Sequence, residues 1–391
     1  MRIVIAPGTF KGTLTAFEAA DAMARGARAA DEHAVIERIP VADGGEGTAA
    51  ALSAAIPGCI EHVHRVTGPM GGPVDASFIT LGPDHGTAAL DMASASGLLL
   101  VPPSERNPML ATTYGVGELI CAAREVGGVE RLIVGLGGSA TNDCGCGCLQ
   151  ALGFRLLNHA GRVLPAPLLP SDLALVAAIA PAPYAVAWET DIVIACDVDN
   201  PLTGTRGASR VFGPQKGATA GQIEVLDDLL VGFGAVLDDW NVRNYPNDVR
   251  PRIQDRPAAG AAGGLGAALM AAFRSATVRP GIEIVLDFAN FDSAVRSADL
   301  VLTGEGRLDA QTLSGKAIAG VLRRGIAAGV PVVAIVGSAE YSAEAELRRQ
   351  GIADVVQLVE LAGSVDEAME DADRWVFEAA KQAVADWYSR Q

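Results

Sequence analysis

Short, almost wholly apolar runs that stop at glycine or at an acidic turn are the feature that most narrows the fold of this 391-residue chain. Residues 2–6 (RIVIA) and 35–41 (VIERIPV) read as buried strands. Between them TAFEAADAMARGARAA has the make-up of a helix, with Thr15 and Glu18 spaced as a capping box and Leu14 and Ala19 as its hydrophobic staple. Towards the other end DLVLTGEG, VPVVAIVG and ADVVQLVE are strand-like runs separated by helical stretches. The first sixty-odd residues hold too few elements to cover a sheet on both faces. The two ends must therefore combine: five strands with crossover helices make a doubly wound parallel sheet. That leaves the middle as an inserted second α/β domain. The expected division is 1–65 with 285–391 for the first domain and 66–284 for the second.

Composition narrows the function. Half of the residues are hydrophobic and 19% are charged, which suits a folded α/β enzyme rather than a disordered chain. A net charge of −16 argues against nucleic acid as the main partner, because phosphate backbones are met by clustered Lys and Arg. Small phosphorylated ligands remain open, since backbone N–H groups, a few lysines and a divalent cation can hold them. No stretch approaches twenty consecutive apolar residues, so no membrane partner is expected. MRIVIAP reads as a first strand rather than a signal peptide, and six cysteines in so long a chain point to a reduced, cytoplasmic protein.

The candidate chemistry lies where apolar runs end. RLIVGLGGSATND runs a strand into Gly137 and Gly138, with Ser139, Thr141 and Asn142 following. Such a loop either cradles an anion on its N–H groups or is a close-packed turn. The helix expected behind it, CGCGCLQALG, holds Cys144, Cys146 and Cys148. A structural zinc site needs four converging ligands, and no second Cys/His pair stands at suitable spacing, so packing is the better account. In PVADGGEGT, Asp43 and Glu46 suit a magnesium ion or a substrate hydroxyl, or else a glycine turn capped by Asp43. IVIACDVDNPLTG ends an apolar strand with Asp197, Asp199 and Asn200; both carboxylates reach one ion only if the chain turns there, which Asn200–Pro201 permits. LVLTGEGRLDAQTLSGK places Glu305, Arg307, Asp309 and Lys316 beyond another buried strand, where Asp309 alternatively caps a helix. Only four lysines occur, and three of them, Lys11, Lys216 and Lys316, stand beside glycine. A flexible point charge of this kind suits a transferring phosphoryl group. No P-loop pattern G-x-x-x-x-G-K-[ST] and no H-E-x-x-H is present.

Taken in order, these stretches resemble the type I glycerate kinase family, the glycerate 2-kinases. The resemblance runs from IVIAPGTFKGTLTAFEAA and PVADGGEGT through SGLLLVP, RNPMLATTYGVGELI, GLGGSATND and ACDVDNPLTGTRGASRVFGPQKGAT to AAGAAGGLGAAL, GIEIVLD and TGEGRLDAQTLSGK. It implies a flavodoxin-like domain made from both chain ends, an inserted α/β domain, and an active site in the cleft between them. It also implies ATP- and Mg²⁺-dependent phosphorylation of D-glycerate, with the 2-hydroxyl favoured, giving 2-phosphoglycerate and ADP. The chain departs from the family pattern at Gly8, where an acid is usual, at Ser314, where histidine is common, at the three cysteines, and at Asp91, where a longer Glu is common.

On this reading Lys11 and Lys216 neutralise phosphates and Asp197 accepts the hydroxyl proton. Asp199, with Glu46 or Glu305, holds magnesium, and the Gly137–Asn142 backbone cradles phosphate. Asp43, Asn200, Arg307, Asp309 and Lys316 complete the binding set. The expected partners are glycerate and ATP, with the protein a monomer or homodimer. Three alternatives stand beside it: a kinase of another small hydroxy acid, a nicotinamide-dependent dehydrogenase, and a non-catalytic metabolite-binding regulator. The dehydrogenase would need G-x-G-x-x-G after the first strand, where this chain has APGTFKGT.

Overall fold

The computed structural model describes residues 1–10, 12–41, 47–181, 190–309 and 317–390. Among these are thirteen strands: β1 Arg2–Pro7, β2 Val35–Arg38, β3 Ile60–Thr67, β4 Pro73–Leu81, β5 Thr87–Asp91, β6 Arg131–Gly135 and β7 Phe154–Leu157. They continue with β8 Ala178–Pro181, β9 Asp191–Ala195, β10 Thr277–Arg279, β11 Leu300–Leu308, β12 Val332–Ala339 and β13 Asp354–Gln357. The chain divides into two compact units, one of residues 1–43, 50–56 and 280–391, the other of 44–49 and 57–279.

The first unit carries a sheet in the order β13-β12-β11-β1-β2, every pair parallel. This is the 2-1-3-4-5 order of flavodoxin-like proteins. Alternate residues face opposite sides of a strand, and here both sides are covered. Ile3, Ile5, Leu300, Leu302, Val333 and Ile335 pack into one apolar cluster with the helices Ala16–Ala30 and Ala372–Ser389. Val4, Val301 and Val336 are buried on the other side, where the helix Ala317–Ala328 meets the sheet. The helix Ala16–Ala30 begins with the expected box: Thr15 Oγ1 accepts from the Glu18 N–H at 3.2 Å and the Glu18 carboxylate accepts from the Thr15 N–H at 2.8 Å. Leu14 and Ala19 lie in the same cluster. A Cβ at Gly26 would stand 2.2 Å from the Phe377 carbonyl oxygen, so a side chain there would force apart the two helices that cover this face.

The second unit holds a six-stranded mixed sheet in the order β10-β9-β6-β5-β4-β3, with β5, β6, β9 and β10 parallel and β3, β4 and β5 antiparallel. A two-stranded ribbon, β7-β8, stands apart from it. Its core gathers Phe78, Leu90, Val134 and Ile194 from the sheet with Leu265 and Leu269 from the helix Leu265–Ala272. The 25-residue helix Ala220–Asn244, opened by a Thr219–Gln222 capping box, adds Phe233 and Trp240. AAGAAGGLGAALMAAF is thus a glycine turn leading into an Ala/Leu helix.

Two expected boundaries move. The whole of β3 pairs with β4, so the chain passes into the second unit by Pro57 rather than at 66, and it returns at Pro280 rather than 285. The run ADVVQLVE is strand only to Gln357, and a helix starts at Leu358.

Candidate active site

Four parallel strands of the second unit end in register. Asp91 of β5 is opposite Gly135 of β6, Gly135 opposite Ala195 of β9, and Ala195 opposite Arg279 of β10. Neighbouring strands lie about 4.8 Å apart, so whatever follows these residues is crowded along one edge. In open α/β sheets this carboxyl edge is where ligands gather. The segments that follow are 92–97, 136–143 and 196–200, two of which the sequence marks as chemical.

The glycine loop leaves β6 through Leu136, whose N–H donates to the Ala195 carbonyl at 3.1 Å. It is then held from one side by residues 96–98: Leu98 N–H donates to the Gly138 carbonyl (2.7 Å) and Ala140 N–H to the Ser96 carbonyl (3.0 Å). Three successive N–H groups, those of Gly137, Gly138 and Ser139, find no hydrogen-bond acceptor among the described residues. Gly138 is exposed and Gly137 half-buried, so these two donors are within reach of a ligand, while Ser139 is buried. Consecutive unpaired amides at a turn form an anion-binding concavity.

Beneath the loop lies a buried polar cluster that only the three-dimensional fold reveals. Asp143 is fully buried and accepts from the Thr113 N–H and hydroxyl, both at 2.8 Å, and from the N–H groups of Gly145 (3.1 Å) and Gly147 (3.3 Å). Burial pushes its carboxyl above the ordinary range against the pull of those four donors. Asn142 is equally buried; its Nδ2 donates to Ser209 Oγ at 3.0 Å, while its Oδ1 meets no partner among the described residues. Thr141 Oγ1 donates to the Ala262 carbonyl at 3.3 Å. Thr113, Asp143 and Ser209 were missed from sequence; the Asp143 side chain is the one with a visible signal, standing just before a helix start.

Lys216, expected to neutralise phosphates, is buried. Its side chain is 1% exposed and its Nζ donates to the Thr141 carbonyl (2.6 Å) and to Ser139 Oγ (2.8 Å). Burial pushes its ammonium down to about 7, with the Asp143 charge opposing that fall.

The cysteines are packing residues. The helix behind the loop starts at Cys146, not Cys144, because Cys144 and Gly145 both have positive φ (51° and 67°). Cys144, Cys146 and Cys148 all lie in the core, and burial pushes their thiols well up. No group of three or more His, Cys, Asp or Glu that could hold a metal occurs among the described residues. Of the six cysteines, Cys196 is buried as well, while Cys59 and Cys121 are half-buried. A disulfide-exchange reagent is therefore expected to modify no more than two thiols in the native protein and all of them after denaturation. Reaction of four or more thiols under native conditions would show that this segment is not packed.

Beyond β9, Asp197 is half-buried and Asp199 is exposed. Asp199 meets Arg206 at 2.7 Å, and its side chain is 74% exposed. Such a surface pair is worth roughly 0–1 kcal/mol and leaves the carboxylate exchangeable. Asn200 shapes the turn that follows, its Nδ2 donating to the Arg206 carbonyl (2.7 Å) and its own carbonyl accepting from Gly260 N–H (3.0 Å). On the neighbouring strand edge, Asp91 Oδ2 accepts from the N–H groups of Gly47 (3.1 Å) and Ala49 (3.2 Å) at the start of the helix Thr48–Ala55.

In the first unit, Glu305 and Arg307 do not lie beyond β11 but on it, in register with Val336 and Ser338 of β12. Arg307 is exposed and pairs with Glu340 at 2.8 Å. Asp309 follows the strand and is half-buried. Lys11, Asp43, Glu46 and Lys316 lie outside the described residues. At Gly8, a Cβ would approach Ala317 Cβ to 3.2 Å, a tight but not prohibitive fit.

Two α/β units with a glycine loop at the carboxyl ends of parallel strands serve many functions, and comparison with known proteins makes this one a kinase. The chain belongs to the glycerate kinase family, whose family model matches residues 3–388. It is 44% identical over 387 residues to the glycerate kinase of Bacillus subtilis (strain 168), covering 98% of this chain and 97% of that protein. It is 40% identical over 388 residues to the glycerate 2-kinase of Escherichia coli (strain K12), with 98% and 97% covered. A crystal structure from Salmonella typhimurium LT2, assigned as glycerate kinase 2, superposes with a TM-score of 0.82 at 39% identity, covering 100% of this chain and 99% of that one. Membership of a kinase family sets aside the nicotinamide-dependent reading.

Proposed function

We propose that the protein transfers the γ-phosphoryl group of MgATP to the 2-hydroxyl of D-glycerate, giving 2-phosphoglycerate and ADP. The observation that carries this reading is the run of three N–H groups at Gly137, Gly138 and Ser139 that find no acceptor among the described residues, on a loop at the carboxyl edge of parallel strands. Phosphoryl transfer asks little covalent chemistry of a protein and much alignment and charge stabilisation. The loop amides receive phosphate oxygens, with the buried charge of Lys216 beneath them. Asp197, two residues beyond β9, accepts the proton that the attacking hydroxyl loses.

A magnesium ion bound with the nucleotide would supply charge neutralisation at the phosphate oxygens. Such an ion is ordinarily held by one or two carboxylates together with phosphates, and the exposed Asp199 is the described carboxylate proposed for that task. Lys11 is assigned to the phosphates, and Asp43, Glu46 and Lys316 to ligand binding, on the sequence alone. The 2-position is supported by the name of the Escherichia coli relative. Phosphorus NMR of the product formed from D-glycerate and MgATP tests the whole reading. One phosphomonoester resonance coincident with authentic 2-phosphoglycerate is expected. A 3-phosphoglycerate resonance would overturn the position, and no phosphomonoester at all would overturn the reaction.

A further inference from the structure

Lys216 stands at the end of the short turn Pro214–Lys216, and Gly217 after it has a φ of 90°, which sends the main chain away while the side chain runs inward. Its two acceptors, Ser139 Oγ and the Thr141 carbonyl, bracket Ala140. Ala140 is the residue whose N–H is tied to Ser96 from the other side. The loop is thus clamped between residues 96–98 and one ammonium group. Two of its three donors are held by Ser139 and Thr141 and its side chain is 1% exposed, so carrying it out to a ligand at the surface would break both bonds and leave the Thr141 carbonyl buried and unpaired. A buried acceptor left unpaired has lost its water and gained no partner, which opposes that movement.

We propose that Lys216 is a positioning residue: it does not touch the phosphates but pins Ser139 and Thr141, and so fixes the concave arrangement of the Gly137–Ser139 N–H groups. The proposal rests on the reading of that loop as the phosphate cradle. It assigns the glycine-flanked lysine a different task from the one its sequence setting suggests. Misplacement of a binding group by about 1 Å can cost roughly 10²-fold in rate, which sets the size of the effect.

The test uses the full-length protein and the variants Lys216→Met, Ser139→Ala and the double variant, followed by amide hydrogen exchange of the 136–149 segment without ligand and by turnover. Pinning predicts exchange about tenfold faster in that segment of Lys216→Met, with β11 and β12 unchanged. It predicts a turnover loss of about 10²-fold, and a double variant no slower than Lys216→Met alone, because both substitutions cut one clamp. Unchanged exchange beside lost turnover, or losses that multiply in the double variant, would overturn it in favour of direct contact. Should Lys216→Met not fold, Ser139→Ala removes one of the two bonds while keeping the charge, and the same segment must still exchange faster for the proposal to stand. Failure of the cradle reading shows separately, as MgATP leaving exchange of this segment unchanged in the unsubstituted protein.

Discussion

Asp197→Asn is expected to lower turnover by about 10³-fold while nucleotide affinity changes by less than about threefold. The magnitude is that of removing a positioned general base, typically 10²–10⁴-fold. Position supports the role. Asp197 comes two residues after Ala195, and Gly137 comes two residues after Gly135, the cross-strand partner of Ala195. The segments that carry Asp197 and the loop therefore leave adjacent strands at the same level. The amide of Asn keeps the shape and can still accept a hydrogen bond, but it cannot take the proton. Single-turnover rates together with calorimetric titration of MgATP separate the two effects. Turnover within tenfold of the unsubstituted enzyme would remove Asp197 from the base role.

Gly263→Ala is expected to destabilise the second unit by about 3 kcal/mol and to cost at least about 10²-fold in turnover. A Cβ at Gly263 would stand 2.0 Å from the Thr141 carbonyl oxygen and 2.6 Å from Asn142 Cα, on a residue whose φ is 67°. Both obstacles are backbone and cannot swing aside as a flexible side chain would. The Gly263 carbonyl also accepts from Cys144 N–H at 3.0 Å, so a shift that relieves the clash breaks that bond. Thr141 is a partner of Lys216, which carries the disturbance to the loop amides. Gly232→Ala is the control: it lies exposed in the helix Ala220–Asn244 with no atom within 4 Å of the added Cβ, and should gain about 0.5–1 kcal/mol. Denaturant midpoints for the two variants check both figures. Equal midpoints would show that the 262–264 turn does not support the loop.

β1, β11 and β12 were legible because each carries a run of apolar residues, and the helix after β1 because Thr15 and Glu18 announce it. β2, expected as a buried strand over 35–41, is instead a largely exposed edge strand of four residues, Val35–Arg38. The start of the second unit was not legible. IEHVHRVT spaces its apolar residues three apart, without the alternation of a half-buried strand, and exposes Ile60 and Val63, so nothing in it separates it from the preceding segment. Its pairing with β4 settles where it belongs.

The glycine loop was legible as a ligand-ready turn, whereas the direction of Lys216 was not. A lysine next to glycine looks the same whether it points to solvent or to a carbonyl 75 residues away. Asp143 was equally hidden, since two of its donors come from Thr113, 30 residues earlier. For Arg307, the extension of β11 through Leu308 makes a strand surface of what reads as a turn, and Glu340 takes its charge.

The strand order of the first sheet has a consequence for synthesis on the ribosome. β1 leaves the exit tunnel before the other described strands, yet of its two neighbours only β2 is soon at hand; β11 begins at Leu300. The contiguous stretch from 57 to 279 can bury its own core in the meantime. A nascent chain of this protein therefore holds an incomplete apolar edge open while most of its length is translated. A circular permutant that begins near Pro280 would bring β11, β12 and β13 next to β1 in translation order and shorten that wait.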